Sequence, residues 1–169
     1  RLRQAKAVAL GERSPVGWEG DMSYWRLFYH VTWSTKGREF LIEPNIEARL
    51  YNVMVAKATD LGAQVYAVGG VEDHVHMVVS VPPRIALADF VAQVKGSSSH
   101  FANHELGLAY RFQWQGEYGV VSFGEKQLDY VIRYVRQQRE HHAQGTAIPY
   151  LEHAAGERMT DASTAHERA

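Results

Sequence analysis

The run VGGVEDHVHMVVSVPP, residues 68–83, constrains the fold more than any other part of the chain. Its valine-rich centre runs from His74 to Val81 and is bounded by Gly69-Gly70 and Pro82-Pro83. β-Branched residues favour extended backbone, and prolines cannot continue a ladder of sheet hydrogen bonds. Residues 74–81 are therefore expected to form a rigid central strand. Successive side chains on a strand point to opposite faces, so His74 and His76 share one face and can hold one metal ion. Two half-buried histidines making ordinary hydrogen bonds are the plainer reading of such a pair. Two features favour the metal. Asp73 precedes the pair and can orient an imidazole, and a rigid strand suits metal geometry, which tolerates little error.

The donors for any metal are limited by composition. The 169 residues include no cysteine, which removes disulfides, thiolate sites and cysteine nucleophiles together. Imidazole, carboxylate, amide or water must serve. The net charge of -1 lacks the basic balance that usually marks a nucleic-acid-binding chain, so a nucleic acid would have to meet a local basic surface. Arg133, Arg136 and Arg139, three apart, can supply part of one or can be a solvated helix face. No run approaches a membrane span and no signal peptide is visible, so a cytoplasmic protein with no membrane partner is expected.

Along the chain, residues 1–21 show weak periodicity and are expected to be an extension outside the core. Residues 24–34 are aromatic and β-branched and predict a strand. Residues 44–61 predict a helix, with Ile46, Leu50, Val53, Met54 and Leu61 as its apolar stripe and Gly62 as its stop. Residues 64–68 predict a short strand, followed by a turn at Gly69-Gly70. Leu87, Phe90, Val91 and Val94 predict a second amphipathic helix. Short strands are expected at 111–115 and 120–123, then a helix over 126–142. Residues 152–169 read as a flexible tail. The order β-α-β-β-α-β predicts an α+β, ferredoxin-like core with an antiparallel sheet, plus a C-terminal helix, in one domain over residues 22–151.

On that last helix Leu128, Val131, Ile132 and Val135 form the core stripe, and Tyr130, Tyr134, Gln138 and His141 lie along its flank. Tyr130 reads as packing. Tyr134 and Gln138 are four apart and share a face. Glutamine offers a neutral carbonyl oxygen suited to Mg²⁺ or Mn²⁺. Two imidazoles, an amide oxygen and a tyrosine point to metal-assisted phosphodiester cleavage with Tyr134 as nucleophile. A covalent phosphotyrosine would keep the bond energy for rejoining.

DHVHMVVSVPP resembles the histidine–hydrophobic–histidine motif of the HUH endonucleases, and YVRQQREHH resembles the tyrosine motif of their single-tyrosine transposases. That family comprises the TnpA-type enzymes of small bacterial insertion sequences and the related REP-associated tyrosine transposases. YWRLFYHVTWSTKGRE, VKGSSSHFANHE and FQWQGEYGVVSF are similar to it in order and spacing, so the resemblance covers about residues 22–151. It implies that His74, His76 and Gln138 bind the metal and that Tyr134 is the nucleophile. It further implies cleavage of single-stranded DNA to a 5′-phosphotyrosine and a free 3′-hydroxyl, recognition of hairpins, and a homodimer whose tyrosine helices can serve the partner's histidines. Lys95, Ser97 and Ser98, expected at the end of the second helix, and Arg133, Arg136 and Tyr118 are candidate DNA contacts. Three rivals remain. A domesticated relative processing host repeat hairpins would have the same site, a metal-dependent phosphohydrolase would form no covalent intermediate, and a binding module would have a decayed site.

Overall fold

The computed structural model describes residues 25–152. The expected extension at 1–21, and all of the expected tail except Glu152, lie outside the described residues. The elements are β1 (Phe28–Ser34), α1 (Pro44–Asp60), β2 (Gln64–Val71), β3 (His74–Ser80), α2 (Leu87–Glu105), β4 (Gly119–Phe123), α3 (Leu128–Arg136), α4 (Gln138–Gln144) and α5 (Pro149–Glu152). The four strands form one sheet in the order β2-β3-β1-β4, with every neighbouring pair antiparallel. This is the ferredoxin-like α+β arrangement expected from the order of elements.

Strand periodicity divides the molecule in two. Every residue of β3 is buried. Val75, Met77 and Val79 point into a core shared with Ile46, Leu50 and Met54 of α1 and Phe90, Val91 and Val94 of α2. Val78 points the other way, into a smaller core with Val131, Tyr134 and Val135 of α3 and Leu151 of α5. By alternation His74 and His76 lie on Val78's side. On β1, Val31 and Trp33 join the first core, which leaves His30, Thr32 and Ser34 on the second face.

The second face admits its helix at very short range. Gly69 and Gly70 do not make the expected turn; they lie inside β2, and Gly69 is the register partner of His76. A Cβ on Gly69 would overlap the backbone carbonyl oxygen of Val135. The missing side chain lets α3 lie directly on the strand beside His76. The chain instead turns between β2 and β3 at Glu72-Asp73.

Three other expectations are corrected. Lys95–Ser99 is not at a helix end, because α2 continues to Glu105. Ser98 is accommodated there by donating its hydroxyl to the carbonyls of Val94 and Lys95, at 2.9 and 3.1 Å. Residues 111–115 form no strand; Trp114 makes one isolated bridge to Thr35, while Phe112 is buried in the first core. The expected helix over 126–142 is a 3-10 turn (Glu125–Gln127) followed by α3 and α4, broken at Gln137 (φ -103, ψ 20). Tertiary pairing draws α4 aside: Arg139 donates to Glu72 at 2.5 Å and Glu47 at 2.9 Å.

Gly69→Ala is expected to destabilise the protein by about 1–3 kcal/mol, the usual cost of forcing atoms into a packed contact. The obstacle is backbone and cannot rotate away. Urea denaturation checks this; a stability equal to wild type would show that α3 does not rest on Gly69.

Candidate active site

The sheet supplies two imidazoles, each anchored through Nδ1. His74 Nδ1–H donates to the Asp73 carboxylate at 2.5 Å, and Arg38 holds the other oxygen of Asp73 at 3.2 Å. His76 Nδ1 lies 2.9 Å from His30 Nε2. Both Nε2 atoms point toward the helical layer. They are buried and make no hydrogen bond, as is true of Gln138 Oε1.

The helical layer brings three groups to these atoms. Tyr134, on α3, is 3% exposed, and its ring centroid is 6.4 Å from that of His76. Its hydroxyl donates to Glu152 and accepts the backbone N–H of Ile148 at 2.9 Å. Gln138, the first residue of α4, is buried, and its amide nitrogen is 3.5 Å from the Tyr134 carbonyl oxygen. Glu152, on α5, reaches back across the site. Its second carboxylate oxygen lies 3.2 Å from His74 Nε2 and 3.3 Å from His76 Nε2, and 3.2 Å from His142 Nε2. The first two distances are within ion-pair reach, yet neither ring N–H would be aimed at the oxygen well enough for a hydrogen bond. One carboxylate therefore joins the tyrosine hydroxyl to both histidines.

The burial of charge sets the protonation states. Burial works against ionising Glu152, but the nearby imidazoles of His74 and His76 and the hydrogen bond from Tyr134 outweigh it and hold the carboxyl well below the usual range. Burial likewise disfavours charge on His74, yet the carboxylates of Asp73 and Glu152 raise its pKa. His76 is lowered, chiefly by burial. His30 is pushed down to about 3 by burial and by His76, so it is neutral. The phenol of Tyr134 is pushed up to about 12, first by burial and then by its hydrogen bond to Glu152.

This donor set suits a divalent cation. The ligand atoms of His74, His76 and Glu152 lie within 4.8 Å of one another. Neutral imidazole nitrogens and carboxylate or amide oxygens fit Mg²⁺ or Mn²⁺, and an ion held by His74 and His76 would satisfy their buried Nε2 atoms, which are otherwise without hydrogen-bond partners.

Of the residues singled out by sequence, His74, His76 and Tyr134 meet here, with Asp73 anchoring His74, and Gln138 is buried one helical step from Tyr134. Glu152 and His30 were not foreseen. The proposed DNA contacts are scattered. Lys95 donates its ammonium to the carbonyls of Gln115, Gly116 and Glu117 at 2.5, 2.9 and 3.0 Å, which occupies all three N–H bonds. Ser98 is buried and accepts the indole N–H of Trp114 at 3.0 Å, and Ser97 is half-buried on the same helix. Tyr118 packs on the first core. Arg133 and Arg136 are exposed on α3, where Arg136 donates to the Tyr66 carbonyl at 3.4 Å. Tyr130 is not packing; it is half exposed.

The Tyr134–Glu152 contact makes a spectroscopic prediction. In Glu152→Gln the carboxylate charge is gone, so Tyr134 should ionise at lower pH than in wild type. The sign for stability follows. A phenol whose folded pKa is raised contributes stability that is complete below its unfolded pKa, near 10, and lost as pH rises to about 12. Ultraviolet titration of wild type and Glu152→Gln, each against its Tyr134→Phe partner, reads the shift; identical titrations would show that the contact is absent in solution.

Known proteins match this chain along most of its length. The family described as transposase, IS200 like, matches residues 23–138. The chain is 24% identical over 121 residues to the ISDra2 transposase TnpA of Deinococcus radiodurans, covering 69% of this chain and 86% of that protein. It is 23% identical over 133 residues to the transposase for insertion sequence element IS200 of Salmonella typhimurium, covering 75% and 87%. A crystal structure of a Deinococcus radiodurans R1 chain described as a transposase superposes with TM-score 0.55 at 24% identity, over 70% of this chain and 95% of that one. A REP-associated tyrosine transposase bound to a REP hairpin superposes with TM-score 0.54 at 13% identity, over 75% and 76%. At these identities the two structures speak for the fold. Among the described residues, no helix is long and apolar enough to cross a membrane.

Proposed function

The chain belongs to the IS200-like transposase family, and from that premise we propose that it cleaves and rejoins single-stranded DNA at hairpin-bearing ends through a 5′-phosphotyrosine on Tyr134, with Mg²⁺ or Mn²⁺ as cofactor. The observation that carries this reading is the single carboxylate of Glu152, which touches the Tyr134 hydroxyl with one oxygen and lies between His74 Nε2 and His76 Nε2 with the other. An anion with two free oxygens fits between nucleophile and metal ligands. A phosphodiester is such an anion, and in this reading it takes the place of the carboxylate.

His74, His76 and Gln138 would hold the ion, with Glu152 as a further oxygen donor while no DNA is bound. The ion supplies positive charge that polarises the scissile phosphate and favours the phenolate. The phenol oxygen of Tyr134 attacks phosphorus, and the bond from phosphorus to the 3′-oxygen breaks. The proton of Tyr134 leaves, and the departing 3′-oxygen takes up a proton to become a hydroxyl. Rejoining reverses these changes, with a 3′-hydroxyl as attacking group and Tyr134 as leaving group. The His76–Tyr134 ring contact and the Ile148 N–H donated to the phenol oxygen would hold the phenol toward the phosphate.

Two further parts of the proposal concern partners. The hairpin-bound structural relative supports a hairpin in single-stranded DNA as the ligand. Exposed Arg133 and Arg136, on the layer that carries Tyr134, are the basic groups placed to meet its backbone. Holding two DNA ends together requires two nucleophiles, hence a homodimer. Tyr134 lies beside the histidines of its own chain, which supports two sites that each act within one subunit.

Tyr134→Phe should abolish the covalent protein–DNA adduct on a denaturing gel while leaving hairpin binding intact. His74→Ala and His76→Ala should abolish cleavage, EDTA should do so in wild type, and Mg²⁺ or Mn²⁺ should restore it. A perfect duplex of the same sequence should be cut little. Adduct formation by Tyr134→Phe would falsify the nucleophile, and full cleavage after exhaustive metal removal would exclude the ion. Mixed dimers of His74→Ala and Tyr134→Phe should stay inactive; recovery would place the two halves of a site on different chains.

A further inference from the structure

Among the described residues, His30 is the one buried titratable side chain at the site that the proposed chemistry leaves unused. It lies on the second face of β1 and is 1% exposed. Its Nε2 is 2.9 Å from His76 Nδ1, the ring centroids are 5.0 Å apart and the planes 27° apart. Its other nitrogen, Nδ1, is buried and has no hydrogen-bond partner.

Two neutral imidazoles joined in this way share one proton between them, and its position decides what His76 can do. With the proton on His76 Nδ1, a lone pair sits on His76 Nε2. With the proton on His30 Nε2, neutral His76 must carry its own proton on Nε2, where no cation can then bind. Only the first arrangement places a second lone pair beside that of His74, which is set independently by its Nδ1–H bond to Asp73.

The two anchors differ for a physical reason. Asp73 sits at the rim, where Arg38 compensates its charge. A carboxylate at position 30 would be almost fully buried within the sheet, and an unpaired buried charge is strongly destabilising. A neutral ring provides an acceptor without that charge. Its cost is the second nitrogen, which stays buried without a partner.

We propose that His30 is a positioning residue of the metal site: it accepts the Nδ1–H of His76 and thereby holds the lone pair of His76 Nε2 toward the atoms of His74. This rests on His74 and His76 being ligands of a divalent cation.

The test uses the full chain and three readouts. Mn²⁺ is titrated by calorimetry into wild type, His30→Leu and His30→Gln. Leucine removes the acceptor, and affinity should fall by about 10–100-fold, as is usual when a partner of a metal-bound histidine is lost. Glutamine can place a carbonyl oxygen near the former Nε2 and should restore most of the loss. His30→Leu exchanges one buried nitrogen without a partner, His30 Nδ1, for another, His76 Nδ1, so its melting temperature should stay near that of wild type. A merely structural role predicts the opposite pairing, with stability lost and affinity kept. Nitrogen-15 NMR of histidine in the metal-free wild type reads the tautomer directly.

His76 protonated on Nδ1, together with the glutamine rescue, supports the proposal. His76 protonated on Nε2, or wild-type Mn²⁺ affinity in His30→Leu, overturns it. A wild type that binds no Mn²⁺ removes the metal reading instead, and the tautomer of His76 then decides whether His30 accepts or donates the proton of this hydrogen bond. If His30→Leu loses its melting transition altogether, His30→Gln and the wild-type spectrum still decide.

Discussion

Two imidazoles stripped of water govern the second face of the sheet. His74 and His76 are 2% and 0% exposed, and each buried ring nitrogen needs a partner or costs free energy. The Nδ1 atoms find Asp73 and His30 within the sheet. The Nε2 atoms find no good hydrogen bond in either layer, and from the helices a carboxylate oxygen of Glu152 comes within 3.2 and 3.3 Å of them. A fold selected only for stability would fill these positions with valine, as it does at Val78 one register further along. The retained cost marks the face as the working one, and the first core, sealed by α1 and α2, supplies the stability that carries it.

The tyrosine reaches this face through two devices that act at a distance from it. Gly69 removes a side chain where the α3 backbone must pass, directly across from His76. Arg139 ties α4 to Glu47 on α1 and to Glu72 in the β2–β3 turn. Each exposed ion pair is worth little alone. Their joint effect is geometric: α4 is fixed just after the break at Gln137, so that Gln138 enters the site while Gln137 faces solvent. Precision in a catalytic group commonly comes from neighbours that lock it in this way.

Side chains with a regular period were legible in the sequence. Alternation placed His74 and His76 on one face, and the four-residue step brought Tyr134 and Gln138 together despite the break between α3 and α4. The antiparallel ferredoxin-like α+β class also followed from the order of elements. What escaped was contact between distant segments. His30 shares a face with Thr32 and Ser34 opposite Val31 and Trp33, so the polar side of β1 was visible, but its pairing with His76 depends on which strands are neighbours. Glu152 lies beyond Gly145 and Pro149, in a segment with little periodicity; Ile148 and Leu151 were its apolar anchors. Gly69-Gly70 read as a turn because a glycine pair at a strand end usually is one, and only the approach of α3 gives it another purpose. Lys95 read as a phosphate contact because the three carbonyls that hold it come from a loop twenty residues later.

In the proposed reaction, the burial of Tyr134 sets the energetic terms on which DNA would enter. Tyr134 is covered by α5, a helix of four residues anchored by Leu151 at 2% exposure. Complete burial of a leucine side chain is worth about 1.5–3 kcal/mol, and the Ile148 and Glu152 bonds to the phenol add about 0.5–1.5 kcal/mol each. Lifting α5 therefore costs about 3–6 kcal/mol, a sum small enough for binding of a phosphate strand to supply. Lifting α3 instead would expose Val131, Val135 and the histidine face together. The short terminal helix is thus the element that yields first, as segments with few buried contacts generally do. In the proposed reaction it would carry away the Glu152 carboxylate, whose charge opposes ionisation of Tyr134 and would repel an incoming phosphate, so that admission of DNA and activation of the tyrosine would coincide.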